Sequence, residues 1–480
     1  MVRTILDKYD VVLNDIVVDI EVVLDSEDFV PNYISTIANI SETTKLILEK
    51  IREEFISSVN VGAFNIAEEE SIKILEELKK EISVLIGKYF PGIDDRTLKM
   101  LINYVVSQDL GFGDLEILLK DPELEEIVVN SSKEPIWVYH RKHGWLKTNL
   151  KIESEKKIRH YSTIIGRDVN KEITLLAPLM DAHLKTGDRV NATLSPISSF
   201  GNTITIRKFA ADPWTIVDFL KFKTISYEAA AMIWLAIQNE LSVLIVGGTG
   251  SGKTSMLNVL ANFFPPNQRL ISIEDTRELT LPDNLHWVAM ETRLGNSEGK
   301  GEVTMLKLLV NSLRMRPDRI LVGEVRRREE AEILLEAMNT GHSTYATFHA
   351  NTANEALMRL TNPPIDIPKP MLASISLFLV QNRNRRTGAR RTMQIAEVLD
   401  NGEVNILMQH DPRTDTFVKK NDSISFIDKI NLYTGMSSKE IEEDLMKKIK
   451  VLKWLVKNNY RDVNQIGLIM AKYYLGKIKL

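Results

Sequence analysis

A glycine-rich run between two apolar segments is the strongest chemical signal in this chain of 480 residues. Residues Gly247–Thr254 have the sequence Gly-Gly-Thr-Gly-Ser-Gly-Lys-Thr and match the pattern G-x-x-x-x-G-K-[ST] in full. In such a loop the backbone N–H groups surround phosphate oxygens, the lysine reaches the β- and γ-oxygens, and the last hydroxyl binds Mg²⁺. The run therefore predicts that the chain binds ATP. The predicted nucleotide contacts are Gly247, Gly248, Thr249, Gly250, Ser251, Gly252, Lys253, Thr254 and Ser255.

Carboxylates follow two apolar runs elsewhere in the chain. Arg319–Val322 leads to Glu324 after one glycine, and Leu270–Ile273 leads directly to Glu274 and Asp275. Because parallel strands present their carboxyl ends at one edge of a sheet, and ligands bind there, these acids are expected beside the glycine-rich loop.

Phosphoryl transfer gives these side chains candidate roles, because it needs a metal to neutralise phosphate charge and a group to orient water. Glu324 is the candidate general base or water-orienting residue, and Thr254 and Glu324 are the candidate Mg²⁺ ligands. Glu274 and Asp275 are candidates for assisting at the metal or the water. In the alternative interpretation, Glu324 is the first charge of the next helix and the other acids form an ordinary polar loop.

Two histidines flank the predicted strand Thr344–Thr347. Histidine can report the state of a phosphate by hydrogen bonding, and it can also join neighbouring elements. His342 and His349 are therefore candidates for coupling the nucleotide state to the surrounding structure. A purely structural role for both is the alternative.

The elements that must position these side chains alternate between strands and helices from residue 227 to about 400. Apolar or β-branched runs mark the strands, and the alternation predicts a parallel sheet of βαβ units. Asp400–Gly402 predicts the turn of a β-hairpin, and Ser437 with Glu440 predicts a capping box at the start of a C-terminal helix. The predicted strands are Leu241–Val246, Leu270–Ile273, Ile320–Val322 and Thr344–Thr347.

The rest of the chain divides by the regularity of its pattern. Residues 66–86 predict an amphipathic helix, residues 94–208 mix strand and helix signals, and residues 210–227 carry few regular signals and predict a linker. The predicted parts are an N-terminal accessory segment (1–90), an N-terminal α/β domain (91–210), a flexible linker (211–226), an ATPase core (227–400) and a C-terminal hairpin with a helical extension (401–480).

Four signatures, in this order, resemble those of the ATPases that power type II secretion, type IV pili, conjugation and the archaellum. The first is the glycine-rich loop, a Walker A motif. The others are Ile273–Glu278, similar to the family's Asp box; Val322–Arg326, similar to its unusual Walker B motif; and Gly341–Asn351, similar to its His box. Upstream segments resemble the N-terminal domain of the archaeal branch, namely Leu115–Asn130, Val138–Arg141, Arg189–Thr193 and Ile204–Lys208.

The resemblance implies an α/β fold: a RecA-like P-loop ATPase core, an N-terminal α/β domain joined by a flexible linker, and a C-terminal helical extension. It implies Mg²⁺-dependent ATP hydrolysis in a ring of six identical subunits, with ATP bound between the domains. In that family, arginines of the N-terminal domain reach the phosphates, and the motif positions carry this role to Arg189 and Arg207. Arg277 and Arg293 are further candidates for contacts across a ring interface.

The implied partner is an integral membrane platform protein of an archaeal pilus, an archaellum or a related secretion machine. The chain is accordingly expected in the cytoplasm, peripheral at the inner face of the membrane, with anionic lipid as a further candidate partner. Two sequence features favour this location: no apolar run approaches the ~18 residues that span a bilayer, and the N-terminus lacks a signal pattern.

Composition excludes several kinds of chemistry. The chain has no cysteine, which rules out disulfides, thiolate metal sites, iron–sulfur clusters and the tetracysteine zinc module of some bacterial relatives. The 61 Lys and Arg residues against 65 Asp and Glu give a net charge of −4, which disfavours a dedicated nucleic-acid binder.

One local basic cluster is the exception to this balance. It has three interpretations that the sequence leaves open: a solvated hairpin tip, a contact with membrane or a partner, and a contact with nucleic acid. The cluster consists of Arg383, Arg385, Arg386, Arg390 and Arg391.

Two other functions stay open at this point. One is a DNA-transport or conjugation ATPase of the same superfamily, which stimulation by DNA would reveal. The other is a nucleotide-dependent scaffold without significant turnover, which the carboxylates at Glu274, Asp275 and Glu324 disfavour.

Overall fold

The structure, a computed structural model, describes residues 3–13, 16–58, 68–169, 171–184, 186–209, 213–293, 295 and 300–478. By internal contacts the chain divides into two compact units, Met1–Ala211 and Asp212–Leu480. Within these described ranges, no helix has the length and apolarity that crossing a membrane requires.

The first unit is built on one large sheet with helices against it. Its strands are β1 (Arg3–Leu13), β2 (Ile16–Asp25), β3 (Asn32–Ile37), β4 (Leu124–Val129), β5 (Trp137–His140), β6 (Gly144–Thr148), β7 (Leu179–His183), β8 (Arg189–Thr193) and β9 (Thr203–Arg207). Its helices are α1 (Glu42–Ser58), α2 (Glu68–Tyr89), α3 (Asp95–Leu110), α4 (Leu115–Lys120) and α5 (Glu155–Asp168). The strand order is β1-β2-β3-β6-β5-β4-β9-β8-β7.

Within residues 1–90, predicted as an N-terminal accessory segment, β1, β2 and β3 belong to the same sheet as the strands that follow them. β3 pairs with β6 through Asn32 opposite Lys147 and Tyr33 opposite Thr148. In β2, the alternation of apolar side chains buries Val18 and Ile20 completely, as the period of a strand packed on one face requires. The core they join also contains residues from α1, α2 and α3, so the chain before residue 90 is part of one folded unit.

The second unit is built on a sheet of mixed direction. Its strands are β10 (Val243–Gly247), β11 (Arg269–Glu274), β12 (His286–Glu291), β13 (Arg319–Val325), β14 (Ser343–Phe348), β15 (Leu377–Arg383), β16 (Arg390–Val398), β17 (Val404–Asp411) and β18 (Thr416–Lys419). Its helices are α6 (Ile216–Lys221), α7 (Tyr227–Gln238), α8 (Lys253–Ala261), α9 (Met305–Ser312), α10 (Arg328–Asn339), α11 (Ala353–Thr361), α12 (Ser425–Thr434), α13 (Ser438–Lys457) and α14 (Val463–Tyr474), with a 3-10 helix at Lys369–Ser374.

The strand order of this sheet is β12-β11-β13-β14-β10-β15-β16-β17-β18. The neighbours from β12 to β15 are parallel, and β15 to β18 continue as antiparallel pairs. The parallel part, with its crossover helices and the glycine-rich loop after a central strand, is a RecA-like α/β core, which confirms the predicted fold class. The predicted hairpin at Asp400–Gly402 is also confirmed, because Val398 pairs with Val404.

The prediction of a flexible linker over residues 211–226 is wrong in one respect, because residues 216–221 form the helix α6. A capping box starts the helix, because the N–H and the hydroxyl of Thr215 both donate to Oδ2 of Asp218, at 3.0 and 2.9 Å. Asp218 is buried and also accepts from Nε of Arg461 at 2.6 Å. These contacts fix α6 to the second unit, while residues 210–212 of the predicted linker lie outside the described residues.

Candidate phosphate-binding site

Four parallel strands end at the same edge of the second sheet, and each end carries a predicted functional group. Register places Val246 of β10 opposite Phe348 of β14, and Ile273 of β11 opposite Val322 of β13. The glycine-rich loop, Glu274, Glu324 and His349 therefore follow these strands at one edge, where a parallel sheet binds its ligands.

The loop itself has the backbone that its glycines permit. Gly250 and Gly252 have φ of +69° and +91°, in the left-handed region that favours glycine. A Cβ at Gly247 would lie 2.6 Å from the carbonyl oxygen of Gln381 on β15, so no side chain fits there. The loop ends at Gly252, which is the N-cap of α8, so the positive end of that helix faces the loop.

Lys253 is the first residue of α8 and lies within this loop. Its Nζ donates to the carbonyl oxygen of Gly248 at 3.2 Å. Burial lowers the pKa of Lys253, and the nearby charge of Glu324 acts in the opposite direction. The ammonium group is thus held at the loop, within electrostatic range of the candidate general base.

Arg326 joins two of the predicted catalytic carboxylates. Its Nη2 lies 2.6 Å from Oε2 of Glu324, and its Nη1 donates to Oδ2 of Asp275 at 2.7 Å. The guanidinium therefore bridges Asp275, directly after β11, and Glu324, near the end of β13. Sequence reasoning gave Arg326 no role, although the two-residue repeat of a strand places it on the same face as Glu324.

Glu274 faces the backbone of its own chain. It is 3% exposed, and Oε1 accepts the N–H groups of Glu278 and Leu279 at 2.9 and 3.1 Å. Burial raises the pKa of Glu274 to about 7, against the lowering effect of these two hydrogen bonds. Its carboxylate shapes the loop after β11, and the assisting role at a metal or water stays a prediction.

The two predicted histidines lie at opposite ends of β14. Nε2 of His349 is 3.0 Å from Oγ1 of Thr249 in the glycine-rich loop. His342 instead precedes the strand and interacts through Nδ1 with Thr340 and with the carbonyl oxygen of Ala337. Six strand residues separate them, which is about 20 Å at 3.3 Å per residue. A direct contact of His342 with a nucleotide in the loop of its own chain is therefore excluded, and its coupling role stays a prediction.

The predicted arginines of the first unit are neighbours on adjacent strands. Arg189 on β8 pairs with Arg207 on β9 in the register of the sheet. Arg189 donates through Nη2 to Oδ2 of Asp181 at 2.8 Å, and Arg207 lies opposite Glu126 of β4. Both side chains are exposed. The structure shows that they form one group, and their contact with phosphate stays a prediction.

Arg277 and Arg293 are engaged within the second unit. The guanidinium of Arg277 lies 5.2 Å from the ring centroid of Trp287. Nε of Arg293 donates to the carbonyl oxygen of Gly301 at 2.7 Å. Their predicted contacts across a ring interface stay predictions.

The basic cluster does not behave as a single surface. Arg391 is held internally, by Oδ1 of Asp415 at 2.8 Å and by the carbonyl oxygen of Phe222 at 3.1 Å. Arg390 donates through Nε to the carbonyl oxygen of Gly250 at 3.2 Å. Only Arg385 and Arg386 are exposed at the hairpin tip. The interpretation of the whole cluster as a solvated tip is therefore wrong for Arg390 and Arg391.

Asn351 is a further residue at the loop that sequence reasoning left without a role. A Cβ at Gly248 would lie 3.2 Å from Oδ1 of Asn351. The backbone N–H and Nδ2 of Asn351 both donate to Oε2 of Glu355, at 2.9 and 3.0 Å. Asn351, the last residue of the predicted His box, therefore packs against the glycine-rich loop.

The donor set fits an Mg²⁺ ion that arrives with a nucleotide. In the described part of the chain, no group of three or more His, Asp or Glu residues is placed to hold a metal ion alone. Mg²⁺ at a nucleotide takes most of its ligands from phosphate and water, so one hydroxyl and one carboxylate suffice. Thr254, in the first turn of α8, and Glu324, on β13, are the predicted sources of these two groups, and their contact with Mg²⁺ stays a prediction.

Comparisons with known proteins identify a family that matches this chain. The family model described as type II/IV secretion system protein matches residues 123–403, more than half of the chain. An uncharacterized protein of Methanocaldococcus jannaschii is 38% identical over 346 residues, which cover 71% of this chain and 46% of that protein. This chain therefore spans about half the length of that relative.

Two more distant matches are a curated protein and a solved structure. A Mycobacterium tuberculosis protein named for conjugal transfer is 31% identical over 301 residues, 60% of this chain and 84% of that protein. The solved structure of the ATPase DotB from Legionella pneumophila is 19% identical, with a TM-score of 0.46 over 76% of this chain and 94% of its own. A TM-score of this size supports no conclusion about the site.

Proposed function

Because the chain belongs to the type II/IV secretion system protein family, we propose that it hydrolyses ATP with Mg²⁺ as a motor of such a machine. The observation that carries the proposal is that the P-loop lysine and a carboxylate lie at the same edge of the sheet, after β10 and at the end of β13, with β14 between these two strands. Lys253 lies in the loop, and Glu324 lies within electrostatic range of it. Binding and hydrolysis of a triphosphate need both.

The proposed mechanism begins with the polyphosphate in the glycine-rich loop. Backbone N–H groups and the positive end of α8 hold the phosphate oxygens, and Lys253 contacts the β- and γ-oxygens. Mg²⁺ neutralises charge on the phosphates when it is bound. Thr254 and Glu324 are its proposed protein ligands.

Glu324 is the proposed base or water-orienting group. Its carboxylate accepts a hydrogen bond from the attacking water and directs the oxygen toward the γ-phosphorus. Arg326 holds this carboxylate in place through a 2.6 Å contact. His349 fixes Thr249 of the loop through a 3.0 Å contact, so a change at the phosphates is transmitted to the end of β14.

The finer parts of the proposal rest on the family resemblance. Six copies form a ring, and the resemblance gives Arg189 and Arg207 the role of contacting the phosphates. The motor works at the inner face of the cell membrane, where it acts on a membrane platform protein. The resemblance of the upstream segments to the archaeal branch of the family is the ground for proposing an archaeal pilus-like filament or an archaellum as the machine.

The test compares two variants. Lys253→Ala is expected to abolish nucleotide binding, because the ammonium group contacts the β- and γ-oxygens. Glu324→Gln is expected to keep the affinity for ATP within a few fold and to slow turnover by about 100-fold or more, the size typical for loss of a positioned catalytic group. Normal turnover in Glu324→Gln would remove Glu324 from the mechanism.

The relative named for conjugal transfer supports a second candidate, a motor that transports DNA. Mg-ATP turnover at several protein concentrations, with anionic vesicles and DNA as separate additions, distinguishes the two. Turnover per subunit that rises with concentration and with lipid supports a ring that assembles at a membrane. Turnover that only DNA raises supports the second candidate, and no turnover at all supports a nucleotide-dependent scaffold.

A further inference from the structure

Two arginines of the β15–β16 hairpin lie against the glycine-rich loop. Arg383 ends β15 and Arg390 begins β16, and the two are paired directly across the strands. A Cβ at Gly250 would lie 3.3 Å from Nη1 of Arg383, and a Cβ at Gly252 would lie 3.4 Å from Cδ of Arg390. Both side chains therefore reach the part of the loop that leads into α8.

The strand pairing explains how they come to be there. β15 runs parallel to β10, with Gln381 opposite Gly247. Two residues further along β15, Arg383 passes the loop that begins at Gly247. Nε of Arg390 donates to the carbonyl oxygen of Gly250 at 3.2 Å, which ties the second arm of the hairpin to the loop.

Positive charge is concentrated at this point of the loop. Arg383 and Arg390 lie directly opposite one another on antiparallel strands, where like charges repel. The ammonium group of Lys253 and the positive end of α8 lie at the same loop. A polyphosphate anion in the loop relieves the repulsion among these three side chains.

We propose that Arg383 and Arg390 bind the α- and β-phosphates of the nucleotide in the loop of their own chain. A guanidinium presents several N–H donors in a fixed fork, which suits phosphate oxygens. The proposal rests on the proposed function, because it adds two ligands to the same nucleotide. Since ADP and ATP share these two phosphates, the two arginines are expected to contribute to the affinity for both nucleotides.

The test measures the dissociation constants of full-length Arg383→Gln, Arg390→Gln and the double variant for ADP and for ATP. Each single variant is expected to bind both nucleotides about tenfold more weakly, as loss of a charge-assisted hydrogen bond implies, and the double variant about 100-fold. The Michaelis constant for ATP is expected to rise with little change in kcat. Higher salt is expected to weaken nucleotide binding by the wild-type chain more than nucleotide binding by the double variant.

The matched control is Arg386→Gln, at the exposed tip of the same hairpin. It removes an equal charge, and its affinities are expected to stay within twofold of the wild type. Arg390→Lys checks the geometry: it keeps the charge but loses the fork, and partial recovery of affinity is expected. If Arg390→Gln does not fold, the test uses Arg383→Gln alone. This variant keeps the hydrogen bond from Arg390 to the carbonyl oxygen of Gly250.

The outcomes separate this inference from the function on which it rests. If the wild-type chain binds ATP, Lys253→Ala does not, and the double variant binds as the wild type does, the inference is overturned and the proposed function stands. If the double variant keeps its nucleotide affinity but loses binding to anionic vesicles, the hairpin is a membrane contact, and the inference is again overturned. If the wild-type chain binds neither nucleotide, both proposals fail together.

Discussion

The two ends of the parallel strands in the second unit hold their polar side chains in different ways. At the amino end of β13, Arg319 is fully buried and donates to Gln268, to Tyr345 and to the carbonyl oxygen of Ile237. At the carboxyl end, the side chain of Arg326 is 59% exposed and bridges two carboxylates.

The same residue type thus has two tasks on one strand. The amino end is a closed polar network whose hydrogen bonds hold β11, β13, β14 and α7 together, and its groups satisfy one another. The carboxyl end leaves charged groups partly exposed beside the loop that is proposed to hold the nucleotide. The difference shows that position along a parallel strand, and not residue type, separates fold-stabilising charges from those available to a ligand.

The sharpest test of this difference compares Arg319→Ala with Arg326→Ala. Arg319→Ala is expected to lower the free energy of unfolding by about 3–5 kcal/mol, because it leaves a cavity and unsatisfied buried acceptors. Arg326→Ala is expected to change it by less than about 1 kcal/mol, as for exposed ion pairs. Denaturant unfolding of the two variants measures both values.

ATP turnover supplies the second half of this comparison. Arg326→Ala is expected to slow turnover of the folded protein, because Glu324 loses the group that orients it. The contrast breaks down if Arg326→Ala unfolds the chain as readily as Arg319→Ala does, since the bridge would then be structural.

Glu274 refines the comparison, because it lies at the carboxyl end yet is buried. Its pKa of about 7, above the ordinary value of 4.5, means that the folded chain holds a proton that the unfolded chain releases. The stability from this proton is complete below about pH 4.5 and is lost as pH rises through 7. Glu274→Gln, which cannot ionise and keeps an acceptor oxygen, is expected to be more stable than the wild type at pH 8 by about 3 kcal/mol.

The measurement is the free energy of unfolding of wild type and Glu274→Gln from pH 5 to pH 8. The two curves are expected to converge near pH 5 and to separate as pH rises. Parallel curves would show that the carboxylate is ionised in the folded chain throughout. Glu324→Gln is the control for the loss of a carboxylate at the same edge of the sheet. Glu324, unlike Glu274, is partly exposed and paired with Arg326.

How much of this arrangement the sequence predicts depends on whether local pattern or tertiary contact determines each part. The P-loop, the parallel strands and the hairpin at Asp400–Gly402 follow from short motifs and periodicity, and the structure has them. Helix α6 was missed because Thr215 and Asp218 form a capping box without an apolar period long enough to signal a helix. The junction of β3 with β6 joins residues more than 100 positions apart, and no local pattern encodes such a pairing.

The site shows the same division. Motif spacing placed Glu324 beside the loop, because it comes at the end of a predicted strand. It also predicted a strand between His342 and His349, but not which of the two histidines contacts the loop; the structure shows that His349 does. Arg390 reaches Gly250 across 140 positions of sequence, so composition alone could describe it only as part of a basic cluster. Burial of Arg319 is likewise a tertiary property, because arginine is ordinarily exposed.

The smallest expected effect compares the two histidines at opposite ends of β14. His349→Ala removes the 3.0 Å contact with Oγ1 of Thr249, and a single hydrogen bond of about 1 kcal/mol corresponds to a turnover about fivefold slower. His342→Ala is expected to stay within twofold of the wild type, because its partners lie at the closed end. Burial lowers the pKa of His349, so its imidazole is neutral at pH 7 and the effect is expected to be the same from pH 7 to pH 8.

Turnover and unfolding measured together decide what His342 does. If both variants keep the wild-type free energy of unfolding and only His349→Ala is slower, the open end of the sheet alone serves the nucleotide. If His342→Ala is slowed equally without loss of stability, a separation of about 20 Å means that it cannot act on the loop of its own chain. Its effect must then pass to the site of another subunit, and turnover in mixed assemblies of wild type with His342→Ala would depend on the fraction of each.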